Sequence, residues 1–267
     1  MSAGVGARFK SLRAVLAPLY KLYELWLWRQ IKQGPVPRHV AIIPDGNRRW
    51  AKERGWSAVF GHVEGYKKMR EVMRWLDELG VKYVTIYAMS KENCTRRKPE
   101  EREHLFSIIK QGLEELLESR EVWEKRLKVR VIGRLSLVPD EVRRVAELVE
   151  EKTASNDGGV LYVALCYGGR DEIIDAVRRL VADALSGRVE CERIDEDLFR
   201  EYLFTSEAPD PDLVIRTSGE ERISNFLLWQ LAYSELYFAD VYWPSFRKID
   251  LWRAVRSFQQ RERRFGS

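Results

Sequence analysis

The stretch His39-Val40-Ala41-Ile42-Ile43-Pro44-Asp45-Gly46-Asn47-Arg48-Arg49-Trp50-Ala51-Lys52 decides the fold. Its first five residues form a short β-rich run. Pro44-Asp45-Gly46 then supplies turn chemistry, with Gly46 free to adopt backbone angles that other residues avoid. A helix beginning after that turn would point backbone N–H groups at whatever sits beyond the strand end.

The same alternation continues along the chain. β-rich runs are expected at Lys82–Met89, Lys128–Ile132, Val160–Cys166 and Asp212–Arg216, with helical stretches at His62–Leu79, Pro99–Lys125, Pro139–Thr153 and Asp171–Leu185. The helix starting near His62 places Tyr66, Met69, Val72, Met73, Leu76 and Leu79 on one face and stops at Gly80. Repeated strand–helix units predict an α/β fold of one domain, with a mainly parallel sheet covered by helices on both faces. Ligands of such sheets bind beyond the carboxyl ends of the strands. The loops to inspect are therefore 44–50, Ser90 to Lys98, Tyr167 to Arg170, and Thr217 to Ser224.

These loops hold one early carboxylate, Asp45, and two sets of arginines, Arg48/Arg49/Arg96 and Arg216/Arg222. A guanidinium makes paired charge-assisted hydrogen bonds to phosphate, so two phosphorylated ligands, or one long one, are expected. Asp45 could hold Mg2+ through one oxygen while substrate phosphates complete the shell. Any single loop is as easily a solvated turn, but four on one predicted edge favour a site. No Gly-x-x-x-x-Gly-Lys-Ser/Thr is present, and no Gly-x-Gly-x-x-Gly follows a strand, which disfavours nucleotide P-loop and dinucleotide folds.

Composition bounds the rest. The 267 residues are 45% hydrophobic, enough for a sizeable core, and a net charge of +5 suits an acidic partner without choosing one. Cys94, Cys166 and Cys191 are an odd number at wide spacing; neither a disulfide framework nor a zinc pattern is expected, and a reducing cytosol is the default compartment. His39, His62 and His104 also lack metal-ligand spacing. Between residues 12 and 31, Leu12, Val15, Leu16, Leu19, Leu22, Tyr23, Trp26 and Leu27 recur at helical spacing, while Arg13, Lys21, Glu24 and Arg29 interrupt the apolar run. This segment is too charged to span a bilayer. It either lies on a membrane surface or packs on the body of the protein. The Gly34-Pro35-Val36-Pro37 break separates it, as residues 1–34, from the main domain of residues 35–267.

With these motifs in view, the chain resembles the cis-prenyltransferases, a family that includes undecaprenyl and dehydrodolichyl diphosphate synthases. The residues that carry the resemblance are 39–52, Gly61-His62-x-x-Gly65, Tyr87-Ala88-x-Ser90-x-Glu92-Asn93, Asp212 to Thr217, Glu221 to Gln230, and Ser234-Glu235-Leu236-Tyr237-Phe238. They occur in order and with family spacing from about residue 35 to 266. The chain departs from common family patterns at Arg48 (Gly in bacterial members), Ala58, Cys94 and Glu221.

The resemblance implies a Mg2+-dependent enzyme that adds isopentenyl diphosphate units to an allylic diphosphate such as farnesyl or geranylgeranyl diphosphate. It implies that Asp45 binds Mg2+, that Gly46, Asn47, Arg48, Arg49 and Trp50 surround the allylic diphosphate, and that His62 and Arg96 lie nearby. Asn93, with Ser90, Lys91 and Glu92 beside it, matches the position that assists proton removal. Arg216, Arg222, Ile223 and Ser224 match the isopentenyl diphosphate site, and Glu235 a carboxylate linked to Mg2+. The terminal Arg264-Phe265-Gly266 resembles a tail that completes the partner's site in a homodimer.

The stretch Pro99–Lys125 places Leu105, Ile108, Ile109, Gly112, Leu113, Leu116 and Leu117 along one apolar face, which either lines a tunnel for the growing chain or packs as an ordinary core helix. The resemblance implies the tunnel, with Gly159 at its floor and a product at or beyond the undecaprenyl class. The expected place is the cytoplasm, with residues 12–31 either making peripheral membrane contact or packing on the protein. The alternative is a non-catalytic accessory subunit, which would be expected to lack the Asp45 motif. The all-helical trans-prenyltransferases are disfavoured by the lack of Asp-Asp-x-x-Asp, and a nucleic-acid-binding module by the lack of any known binding motif.

Overall fold

Among the described residues six strands, all parallel, make one sheet in the order β3-β4-β2-β1-β5-β6. The computed structural model describes residues 18–261. Along the chain, helix α1 covers residues 18–31, followed by β1 (His39–Ile43), α2 (Asn47–Glu53), α3 (Ala58–Glu78), β2 (Tyr83–Ser90), α4 (Lys91–Arg96) and α5 (Pro99–Glu118). Then come α6 (Arg120–Glu124), β3 (Leu127–Ile132), α7 (Asp140–Thr153), β4 (Gly159–Tyr167), α8 (Gly169–Leu185) and α9 (Glu196–Glu201). β5 (Leu213–Thr217), β6 (Glu235–Ala239) and α10 (Lys248–Gln260) complete the order. Every residue of β1, β4 and β5 is buried, as strands covered on both faces must be.

The α/β expectation holds, and each of the five predicted strands lies within one or two residues of its place. β6 was expected only as a motif. Its run Glu235-Leu236-Tyr237-Phe238-Ala239 pairs with β5 from Leu213↔Glu235 to Thr217↔Ala239. The expected helix 99–125 breaks at Ser119 into α5 and α6.

Contacts among the described residues divide them into residues 37–245, which hold the sheet, and a second unit of residues 18–36 and 246–261. Within this second unit α1 packs with α10: the rings of Trp28 and Trp252 lie 5.1 Å apart, and Gln259 Nε2 donates to the Ile31 carbonyl at 2.8 Å. Leu27 and Ile31 are buried, while Leu19, Leu22 and Trp26 remain 60%, 62% and 48% exposed.

The cysteine expectation is overturned. Cys94 of α4 and Cys166 of β4 form a disulfide, with Cα atoms 5.6 Å apart across 72 positions of sequence. Closing a loop of that length restricts the unfolded chain by roughly 4 kcal/mol. Wide spacing concealed the pair because only the sheet brings the end of β4 beneath α4. Cys191 is free and exposed.

The β1/β5 neighbourhood positions the site. From β1 the chain crosses to β2 on one side and later returns to β5 on the other. The reversal opens a crevice beyond the carboxyl ends of β1 and β5, where Ile43 stands in register with Arg216.

Candidate active site

Asp45 follows β1 by two residues and is clasped by the end of β5. Its N–H donates to Thr217 Oγ1 at 2.9 Å, and the Thr217 hydroxyl donates to the Asp45 carbonyl at 2.7 Å. The carboxylate accepts from Arg216 Nη2 at 2.8 Å, from the Gly46 N–H at 2.6 Å and from Arg49 Nη2 at 3.4 Å. Burial would raise the Asp45 carboxyl. The Arg216 hydrogen bond and charge, with the Gly46 N–H and Arg49, outweigh it and hold the group below the usual carboxylate range. Asp45 is therefore ionised at neutral pH.

Arg216 is only 4% exposed. Besides Asp45 it donates to Ser224 Oγ at 2.7 Å and to the Arg222 carbonyl, while its Nε is buried without a partner. Arg49 spans the crevice, donating to Glu220 Oε1 at 2.6 Å and Ser218 Oγ at 2.7 Å. Glu220 also pairs with Arg222, so one carboxylate joins the two arginine sets.

Glycines bring the backbone close. Gly46 has φ 98°, and a Cβ there would meet the Tyr242 ring at 2.6 Å. A Cβ at Gly65 would stand 2.3 Å from Asn47 Oδ1, and one at Gly61 2.3 Å from the Asn47 carbonyl oxygen. The Gly61-x-x-x-Gly65 spacing thus lets α3 press against Asn47.

Across the pocket, Ser90 caps α4 by accepting the Asn93 N–H at 3.1 Å, and Glu92 accepts from Asn225 Nδ2 at 3.4 Å. Arg97 Nη1 donates to Glu101 Oε1 at 2.5 Å and lies 3.4 Å from His62 Nε2. Burial first, then the Arg97 charge, lowers the His62 pKa to about 4, so its imidazole is neutral.

The expected residues divide. Asp45, Gly46, Asn47, Arg48, Arg49, His62, Ser90, Glu92, Asn93, Arg216 and Ser224 line one polar pocket of about 1110 Å³. Trp50 does not: it is buried, donates to Ser245 Oγ at 2.7 Å and packs beneath Arg54. Lys91 pairs with Asp171 at 2.5 Å instead of facing the pocket. Arg96 is exposed outside it, and Arg97, one residue on, takes the lining place. α4 ends at Arg96 and the chain turns extended at Arg97, so adjacency in sequence concealed which arginine turns inward. Arg222 and Ile223 lie outside the lining but beside it, through the Arg222 carbonyl and the Ser224 hydroxyl.

Glu235 is not brought to Asp45. It opens β6 in register with Leu213, three residues before the Arg216 level, or roughly 10 Å down the strand. Arg264 lies outside the described residues. Asn225, whose Oδ1 accepts the Arg170 N–H at 3.0 Å and whose φ is 62°, was missed as a site residue; a Ser-Asn pair after an arginine-rich loop was the available signal.

The polar pocket continues into an apolar cavity of about 980 Å³ between the sheet and helices α3 and α5. Tyr66, Met69, Ile86, Ala88, Ile108 and Ile109 line both. Gly112, Leu113 and Leu116 line the cavity as expected and Leu105 lines the polar pocket, while Leu117 lines neither. Gly158, Val160, Lys82 and Leu127 around it line the cavity, but Gly159 itself does not; a Cβ there would meet the Lys82 carbonyl at 2.3 Å, between β4 and the residue preceding β2.

A cationic pocket that opens on a long apolar cavity defines an enzyme site for amphiphilic phosphorylated substrates. The profile described as "Putative undecaprenyl diphosphate synthase", of the prenyltransferase family, matches residues 43–266. A tritrans,polycis-undecaprenyl-diphosphate synthase (geranylgeranyl-diphosphate specific) of Sulfurisphaera tokodaii is 49% identical over 255 residues, covering 96% of this chain and 97% of that one. Its counterpart from Methanopyrus kandleri is 51% identical over 257 residues, covering 96% and 94%. Among solved structures, lavandulyl diphosphate synthase from Lavandula x intermedia, in complex with dimethylallyl diphosphate, superposes with a TM-score of 0.81 at 36% identity, covering 87% of this chain and 99% of that one. A probable undecaprenyl diphosphate synthase from Campylobacter jejuni gives 0.70 at 33% identity, covering 87% and 100%. The chain belongs to the undecaprenyl diphosphate synthase family of cis-prenyltransferases. It is a prenyl-transferring enzyme.

Proposed function

We propose that the enzyme adds isopentenyl diphosphate repeatedly, in cis geometry, to geranylgeranyl diphosphate and releases a polyprenyl diphosphate of about the undecaprenyl class. The observation that carries this reading is the Asp45–Arg216 pair at the mouth of the apolar cavity. The primer and the product follow the printed activity of the relatives.

In this reading the allylic diphosphate lies against Gly46, Asn47, Arg48 and Arg49, with its hydrocarbon in the cavity. Arg49 and Arg97, paired with Glu220 and Glu101, exchange those carboxylates for phosphate oxygens. Breaking the allylic C–O bond places charge on the leaving diphosphate, which preorganised cations stabilise. The double bond of isopentenyl diphosphate, held by Arg216, Arg222 and Ser224, attacks the allylic carbon as diphosphate departs. Asn93, Ser90 and Glu92 orient the cationic new chain end as it passes a proton to the departed diphosphate and forms its double bond.

Among the described residues no three His, Cys, Asp or Glu side chains are grouped to hold a metal. The ionised Asp45 is the donor that fits Mg2+, with phosphate and water oxygens completing a hard-cation shell. Bound there, the ion would supply charge neutralisation at the leaving diphosphate. The distant Glu235 supplies no ligand to that site within one chain.

The same reading takes residues 35–267 as the catalytic part and a homodimer as the working form, with Arg264 completing the partner's isopentenyl diphosphate site. Deleting residues 264–267 should then raise the KM for isopentenyl diphosphate far more than that for the primer, and light scattering should give a dimer. No described helix is long and apolar enough to cross a membrane. The exposed Leu19, Leu22 and Trp26 support peripheral contact with lipid from the cytoplasmic side.

The test is incubation of the purified enzyme and Mg2+ with labelled isopentenyl diphosphate and, separately, dimethylallyl, farnesyl or geranylgeranyl diphosphate. Chromatography should show long products, most abundant from geranylgeranyl diphosphate. No incorporation from any primer would overturn the reading.

A further inference from the structure

Where the strands approach the pocket, the pairing of β2 with β4 is irregular. Tyr87 pairs with Ala164, Met89 with Leu165, and Ser90 with Tyr167, so Ala88 on one strand and Cys166 on the other are left over. Cys166 has φ 48°, a left-handed conformation that a non-glycine residue seldom adopts. Such bulges re-aim a side chain and cluster beside active sites. Here the side chain re-aimed is the one bonded to Cys94, which directly follows Asn93.

We propose that the Cys94–Cys166 disulfide is a positioning element of this active site, fixing α4 so that Glu92 and Asn93, beside Ser90 at the end of β2, face the pocket. α4 is only six residues long, too short to be stable alone. It is capped by Ser90 of β2, and its further side-chain ties include Lys91 to Asp171 at 2.5 Å, Arg102 Nη1 to the Cys94 carbonyl at 3.2 Å, and Asn225 to Glu92 at 3.4 Å. The Lys91–Asp171 pair joins partly exposed side chains, a kind of contact that contributes little. The disulfide is covalent and buried, with Cys94 and Cys166 only 4% and 1% exposed. A non-glycine residue persists at such a φ only when its surroundings over-determine it, and the bond to Cys94 is one such constraint. The inference rests on the reading of the Ser90–Asn93 segment as part of the reaction site.

The test compares oxidised enzyme with enzyme reduced by dithiothreitol under mild denaturant and then refolded. Reduction converts the disulfide to two thiols as dithiothreitol closes to its own cyclic disulfide, so electrons and protons balance. Assays run well below the unfolding temperature of either form. Reduction, or the Cys94→Ala/Cys166→Ala pair, should lower kcat/KM for isopentenyl diphosphate at least fivefold and leave the primer's Kd within twofold. Reoxidation should restore the wild type but not the variant.

Amide hydrogen exchange in native enzyme supplies a second measurement if the variant fails to fold. Exchange at residues 91–95 should speed at least tenfold on reduction. Unchanged exchange and kinetics, with only a lower Tm, would reduce the bond to a general staple. Free thiols at both positions in the purified native enzyme, by mass spectrometry, would overturn the proposal outright. Asn93→Ala in oxidised enzyme separates the two ideas: full activity would refute the role of Asn93, while the exchange measurement would still decide the role of the disulfide.

Discussion

Asp45 Oδ2 and Arg216 Nη2 meet at 2.8 Å across the ends of two adjacent parallel strands, 171 positions apart in sequence. Arg216 is almost wholly buried, so that carboxylate is the counter-charge that offsets a guanidinium taken out of water. Asp45→Ala should cost turnover about 10²–10³-fold and also stability, by about 3–5 kcal/mol, because it strands a buried guanidinium. Asp45→Asn keeps the shape and one acceptor for Arg216 but not the counter-charge, and should lose turnover with a smaller loss of stability than Asp45→Ala. Equal turnover of Asp45→Asn and the wild type, measured with saturating Mg2+, would contradict the catalytic role.

Gly65→Ala places a methyl group 2.3 Å from Asn47 Oδ1. Either α3 or the Asn47 turn must shift, so the KM for the allylic primer should rise about tenfold, near the cost of 1.4 kcal/mol of binding. Gly55→Ala has open space around its Cβ and serves as a contrast, with kinetics unchanged and a small strain from its φ of 69°.

Ala88 lines both the polar pocket and the apolar cavity. Ala88→Leu should narrow the passage between them and shorten the products, since each CH₂ the cavity accepts contributes about 0.8 kcal/mol. Gly159→Leu tests another matter: with the Lys82 carbonyl 2.3 Å from its Cβ position, it should impair folding instead of trimming the product ladder. Product chromatography of the first and thermal unfolding of the second decide both.

His39 and His62 both have pKa values lowered from 6.5 to about 4, chiefly by burial. Each is neutral when folded and takes up a proton when unfolded within that interval. Stability is therefore complete above about pH 6.5 and is lost as the pH falls towards 4, by up to about 3 kcal/mol for each group. Urea unfolding at pH 7.5 and 4.5 should show the loss. His39→Gln should lessen the pH dependence by about one proton, although it also disturbs contacts to the Pro209 carbonyl at 2.6 Å and Thr85 Oγ1 at 2.8 Å.

Leu19, Leu22 and Trp26 lie on one exposed face of α1, whereas Leu27 and Ile31 are buried. Replacing those three by Gln should weaken sedimentation with anionic vesicles, as lost apolar burial predicts, without changing turnover on a short soluble primer. Equal sedimentation of variant and wild type would leave that face without a lipid role.

Much of this protein is written locally. The period of apolar residues and the Pro44-Asp45-Gly46 turn determine strand, turn and helix, and the alternation of such units determines a parallel sheet. The carboxylate and most pocket residues were legible because the carboxyl ends of parallel strands share one edge. Short elements were not: α2, α4 and α9 are each seven residues or fewer, too brief to show a helical period. Only the tertiary structure made β1 and β5 neighbours and so paired Asp45 with Arg216. The turn of α4 and the residues after it admitted Arg97 and left Arg96 in solvent, and strand register carried Glu235 away from the pocket. The approach of β4 to Lys82 removed Gly159 from the tunnel, and the bulge at Cys166 brought it to Cys94. Each of these depends on which segments lie side by side, a relation that residue spacing along the chain does not encode.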